Sequence, residues 1–217
     1  MIAPRCLIAA LLFLAVPGTP SELDREPSGW TDLLAEAGPE LKGWTRLPVN
    51  PTGKLDPMSQ WTLEAGVLTC KGDGGHDWVR WDRELGDFVA HVEWKFTPVS
   101  SGKMAYNSGI YVRNSADAKI WHQAQVGGGP NGYLFAETLV GGKPKRVDLS
   151  KQQIDKRVLP AGEWNTFELT CRGKDVVLWI NGAVVNEWRD CEVPRGYFGL
   201  EAEGYRIEFR NVKVKPL

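Results

Sequence analysis

Charge of one sign is what this chain most plainly lacks. Its 26 basic and 27 acidic residues leave a formal net charge of -1, and neither sign is gathered into a block. A nucleic-acid partner, which needs a basic patch or stripe, is therefore disfavoured. Cysteine is scarce: Cys6 near the N-terminus, then Cys70, Cys171 and Cys191. None has the spacing of a metal-binding cluster, and each of the last three lies in or beside an apolar, strand-like run, which argues against a catalytic cysteine. One bridge plus a free thiol is allowed, most simply Cys171 with Cys191, but spacing alone does not decide the pairing. Long apolar runs are missing as well. The run over residues 7–16 is too short to cross a bilayer, so no membrane span is expected. Internal repeats and low-complexity tracts are absent. Beyond Gly43 the 3.6-residue apolar period disappears, which excludes a helical domain. The glycine-rich KGDGGHDW (residues 71–78) is followed by no helix start and no Lys-Ser/Thr pair, so it is not a phosphate cradle. It is a turn with polar decoration, whose His76 and Asp77 could face a site or only solvent, solvent being the commoner outcome.

What is present divides the chain in three. Residues 1–20 carry a lone cation, Arg5, then the apolar run, then Pro17, Gly18 and Thr19. That is the layout of a secretory signal peptide, with cleavage after Gly18 and Cys6 leaving with it, and it implies a secreted or periplasmic protein. Residues 21–42 form a polar lead-in, in which WTDLLAEAG (residues 30–38) predicts a short helix ending at Gly38. Residues 43–217 read as one β domain. WTLEAGVLTC (residues 61–70) is a hairpin around Ala65-Gly66. In FVAHVEWKF (residues 88–96), Val92, Trp94 and Phe96 alternate with His91, Glu93 and Lys95, which assigns the first set to the core. Asn181-Gly182 between two apolar runs predicts a type I′ hairpin. Residues 141–156 are polar and read as a surface excursion. About a dozen short strands with little helix predict an all-β fold, a two-sheet antiparallel β-sandwich of the concanavalin A-like jelly-roll kind.

Ten Trp in 217 residues is the loudest compositional feature. Some must be core, but a secreted β protein this rich in Trp is expected to offer at least one ring to carbohydrate. The stretch AYNSGIYVRNSADAKIWHQAQV (residues 105–126) reads as two strands joined by a polar turn. Period-two alternation gathers Tyr111, Arg113, Trp121, Gln123 and Gln125 on one face, if the pairing aligns them. Rings cover the C–H faces of a pyranose, and amides and guanidinium match its hydroxyls. Asn107 and Arg80 join these as candidate saccharide contacts. A solvated outer sheet face is the alternative reading of the same residues. A flexible loop of four Gly, Pro and Asn over residues 127–132 follows, leading to Glu137.

The ordered set GDFVAHVEWKF, NSGIYVR, AGEWNTFELTCRG, VVLWINGAVV, GYFGLEAEG and IEFRNVKVK resembles the secreted DUF1080 proteins, described as 3-keto-disaccharide hydrolases or 3-keto-glycoside lyase/hydratase domains. The resemblance covers residues 43–217. It implies a concanavalin-like sandwich whose saccharide substrate is a glycoside already oxidised at C3. The ketone acidifies the C2 proton; a base removes it, the aglycone leaves C1, and water adds back. Candidate catalytic groups are His122, Glu137 and Glu93, with His91 beside them, and Arg113 and Arg80 as charge stabilisers. No cofactor is required by the sequence. A divalent metal held by His and carboxylate suits an enolate, although no metal spacing signature is present. Where many members carry Tyr-Glu-Val-Gln, this chain has His122-Gln123-Ala124-Gln125, and Gln123 cannot serve as a base. Two other readings stand beside the lyase. One is a noncatalytic carbohydrate-binding sandwich. The other is an ordinary glycoside hydrolase, which needs two carboxylates about 5–10 Å apart, and the strand pair of residues 105–126 supplies none.

Overall fold

The computed structural model describes residues 18–100, 105–128 and 131–217. The segment read as a signal peptide lies almost wholly outside the described residues. Among those described, no helix is long and apolar enough to cross a membrane.

Two antiparallel sheets face each other, with strands numbered in chain order. The back sheet holds β1 (Thr31–Asp32), β3 (Trp61–Glu64), β4 (Val67–Cys70), β6 (Phe88–Phe96), β11 (Asn165–Arg172), β12 (Asp175–Ile180), β13 (Ala183–Trp188) and β15 (Ile207–Pro216). Its order is β13-β12-β11-β6-β15-β4-β3, with β1 paired to β15. The front sheet holds β2 (Trp44–Pro48), β5 (His76–Leu85), β7 (Asn107–Asn114), β8 (Trp121–Gly127), β9 (Leu134–Val140), β10 (Lys143–Asp148) and β14 (Gly196–Glu203). Its order is β10-β9-β8-β7-β14-β5-β2. This is the jelly-roll-like sandwich that the alternation of the sequence predicts.

The core lies between the sheets. On β6 the set Phe88, Ala90, Val92, Trp94 and Phe96 is buried, and Trp94 meets Phe96 and Phe167 edge-on at 5.5 and 5.4 Å. Apolar side chains at every second position of a strand can do nothing else once two sheets stack. The β12–β13 turn has Asn181 and Gly182 at φ 43° and 101°, as type I′ requires. Ala65 and Gly66, at φ 48° and 77°, make the β3–β4 turn in the same way.

Three local expectations are corrected. Residues 30–38 do not form a helix. Thr31 and Asp32 pair with Val214 and Lys213, and the Asp32 carboxylate accepts the Leu34 and Ala35 N–H groups, holding a turn instead. The α-helix that does form, α1 (Glu22–Arg25), is one turn capped by Ser21. Residues 141–156 contain a strand, β10, whose polar composition reflects an exposed sheet edge. Cys171 and Cys191 are free thiols, as is Cys70, and all three are buried.

Gly199 lies beneath the Trp78 ring, where an added Cβ would sit 2.4 Å from a ring carbon and 2.8 Å from the Val79 carbonyl oxygen. Trp78 is fully buried and cannot retreat. Gly199→Ala is expected to destabilise the fold by about 1–3 kcal/mol, measured as a lower midpoint in urea denaturation; an unchanged midpoint refutes the tight contact.

Candidate functional site

The outer face of the front sheet carries a cavity of about 300 Å³. Register decides what lines it. Gly199 pairs with Tyr111, and Tyr111 pairs in turn with Gln123. Glu203 pairs with Asn107 on one side and His76 on the other. Directly opposed residues share a face, so His76, Glu201, Glu203, Asn107, Tyr111, Gln123 and Gln125 converge. Two glycines hollow out the floor. One is Gly199; the other is Gly109, where a Cβ would fall 2.2 Å from the Gln123 Nε2. Gln123 therefore lies flat across β7 and reaches β14.

Its target is Glu201, a buried carboxylate. Gln123 Nε2 donates to Oε2 at 2.8 Å, while Tyr111 Oη donates to Oε1 and His76 Nε2 pairs with it, each at 2.7 Å. Glu203 accepts from Asn107 Nδ2, whose Oδ1 accepts from Gln125, and lies 3.6 Å from His76 Nε2. The hydrogen bond to Glu201 pushes the His76 imidazole up, against the opposing effect of burial. Burial, then the Glu201 charge, raises the Glu203 carboxyl. The same two causes keep the Tyr111 phenol protonated well above the usual tyrosine range.

Aromatic rings wall the other end. Trp121 and Phe135 meet edge-on at 5.0 Å, and the Arg146 guanidinium sits 4.9 and 5.0 Å from their ring centres. The turn between β7 and β8 folds over the face, packing Ala118 with Trp78 and Tyr111. Half-exposed rings beside amides and carboxylates suit a sugar: C–H faces on the wall, hydroxyls on the polar groups.

Of the residues singled out in the sequence, Asn107, Tyr111, Trp121, Gln123 and Gln125 line this cavity. The others go elsewhere. Arg113 does not share the face of Tyr111. A register shift between β14 and β7 and a φ of 53° turn it inward, where it is fully buried and donates to Asp87 Oδ1 and to the Gly173 and Val193 carbonyls at 3.0, 2.8 and 3.2 Å. His122 points into the core, paired with Thr138 Oγ1 at 2.8 Å and packed on Trp188. Glu93 lies on the outer face of the back sheet, 2.7 Å from Arg210 Nε, and the adjacent His91 pairs with Glu168 at 2.8 Å. Glu137 faces outward on the rim, 3.1 Å from Arg146. Arg80 donates to the Ala116 carbonyl and stacks on Tyr197, bracing the β7–β8 turn from outside the cavity.

The lining groups that the sequence did not single out include Glu201, Glu203, Phe135 and Arg146, and His76, left open between site and solvent, joins them. One signal was available. In GLEAEG the two glutamates alternate with Leu200 and Ala202, so both stand on the face away from the core.

His122 generates a pH prediction. Burial pushes its imidazole from the ordinary 6.5 down to about 4. The unfolded chain therefore takes up this proton first as pH falls. The contribution to stability is complete above about pH 6.5 and is lost down to about pH 4, amounting to about 3 kcal/mol. Urea denaturation should show this slope and His122→Gln should flatten it; an NMR titration in which His122 protonates near pH 6.5 refutes the burial argument.

A protein from Parabacteroides distasonis described as a candidate glycosyl hydrolase is similar in structure, with a TM-score of 0.61 at 19% identity, covering 93% of this chain and 100% of its own. A second such protein from that organism matches at a TM-score of 0.56 and 21% identity, over 87% and 99%. The carbohydrate binding module CBM66 from Bacillus subtilis matches at 0.56 and 17%, over 80% and 95%. At these identities the likeness shows the shared sandwich. No curated protein matches the chain. The sequence profile of the 3-keto-alpha-glucoside-1,2-lyase-like domain, however, matches residues 29–215, taking in β1 as well as the rest of both sheets, and the chain belongs to that family.

Proposed function

We propose that this protein cleaves 3-keto-glycosides by elimination, with the saccharide in the front-sheet cavity. The observation that carries the reading is the convergence of His76, Glu201 and Glu203 beside an aromatic wall on one cavity floor. A module that only bound neutral sugar would gain nothing from burying one carboxylate beside another, since that costs desolvation and repulsion.

Glu203 is the base. It is part-exposed, faces the cavity, and its carboxyl is raised toward neutral pH, where proton abstraction is efficient. It takes the C2 proton, and the C2–H electron pair becomes the enolate of the C3 ketone. The enolate collapses to restore C3=O and form C1=C2, and the C1–O bond breaks. His76, protonated more readily than an ordinary histidine, supplies the proton to the departing aglycone oxygen. Addition of water across C1=C2, hydroxyl to C1 and proton to C2, completes net hydrolysis. Tyr111, Gln123 and Asn107 orient the two carboxylates. Trp121 and Phe135 carry the apolar face of the sugar or its aglycone. On the strength of the N-terminal apolar run, the same reading places the protein outside the cytoplasm.

Incubation with an aryl 3-keto-glucoside should release the phenol and, in D₂O, exchange the C2 proton. Glu203→Gln should lower kcat/KM about 10²–10⁴-fold, and Trp121→Ala should act mainly on KM. Saturable sugar binding with neither release nor exchange would replace this reading with a noncatalytic carbohydrate-binding module.

A further inference from the structure

We infer that His76, Glu201 and Glu203 bind one divalent first-row transition cation on the cavity floor. One ligand atom from each lies within 4.8 Å of the others. Ligands about 2.0–2.2 Å from a common ion stand no more than about 4.4 Å apart, so a small inward movement of side chains closes the set. Charge supports it too. Among the described residues, neither glutamate has a Lys or Arg within ion-pair distance, and their charged-partner contacts are to His76 alone. A buried carboxylate next to a second one normally finds a cation.

The surroundings are those of a prepared ligand set. Tyr111 and Gln123 fix Glu201, and the Gln125–Asn107 relay fixes Glu203. Outer partners of this kind orient ligating oxygens and are worth 10–100-fold in affinity. His76 would present Nε2 to the ion in place of its present bond to Glu201, and a cation-bound water would then take over from it as proton donor to the aglycone oxygen. One imidazole and two carboxylates suit Mn²⁺ or Zn²⁺. Three protein ligands leave positions open toward the cavity, where vicinal oxygens of a sugar would fit. Such a cation would polarise the C3 ketone and acidify the C2 proton, which lessens the basicity Glu203 needs to remove it. Cation binding deepens the lyase reading but is measured without substrate, so the two fail separately.

EDTA-stripped full chain is titrated with Mn²⁺ and Zn²⁺ by calorimetry, with Mg²⁺ and Ca²⁺ for comparison. One ion per chain is expected. Glu203→Gln and His76→Ala should each weaken it about tenfold or more, and both sites are exposed enough to keep the fold. Glu137→Gln on the rim should change nothing. Pulsed electron paramagnetic resonance of bound Mn²⁺ should show a nitrogen coupling that His76→Ala removes. No saturable binding, or binding that both variants leave unchanged, overturns the cation site. Phenol release that survives stripping in a protein that binds neither ion does so while sparing the lyase; stoichiometric Mn²⁺ without turnover upholds the cation site and sinks the lyase.

Discussion

A carboxylate buried in the middle of a sheet face is the constraint from which the site follows. Glu201 cannot be taken out of water without donors, because an uncompensated buried charge costs several kcal/mol. Three strands supply them: Tyr111 from β7, Gln123 from β8 and His76 from β5. None could reach without space. Gly109 lets the Gln123 amide lie across the intervening strand, and Gly199 lets Trp78 lie flat and meet Tyr111 edge-on at 5.3 Å. Two missing side chains thus shape the floor as firmly as the polar groups that occupy it.

The scaffold holds that floor from the far end. A register shift where β14 meets β7 frees Arg113 to turn inward. There its guanidinium ties the end of a front-sheet strand to Gly173, in the β11–β12 turn of the back sheet, and to Val193 and Asp87. A planar group with five donors is suited to joining several carbonyls at once. The two sheets are locked together at this point, away from the cavity. The strands that carry the polar groups are thereby held at fixed relative heights.

The same sandwich serves carbohydrate binding and carbohydrate chemistry, so fold does not choose between them. The wall of Trp121 and Phe135 and the amides of Asn107, Gln123 and Gln125 meet the needs of either. The charged floor does not. Glu203 raised by burial beside Glu201, with a histidine between them, is what supports the proposed lyase reading over a binding one. Gln123 cannot serve as a base, but the site is not without carboxylates, because Glu201 stands one hydrogen bond away.

What the sequence determined by itself was whatever depends on neighbours along the chain. Alternation told which side of β6 is core, Asn181-Gly182 told where a hairpin turns, and the strand count told the class of fold. It also gathered Tyr111, Trp121, Gln123 and Gln125, with Arg113, on one face of two adjacent strands, a set from which only Arg113 departs. Tertiary structure alone decided which distant strands flank that pair. His76 and Glu201 are 125 residues apart and meet because β14 lies between β5 and β7, a pairing order that no local pattern encodes. It also decided that Arg113 turns away, because a bulge reverses the parity on which period-two reading depends. Local alternation specifies faces; only the order and register of strands specify which faces become one site.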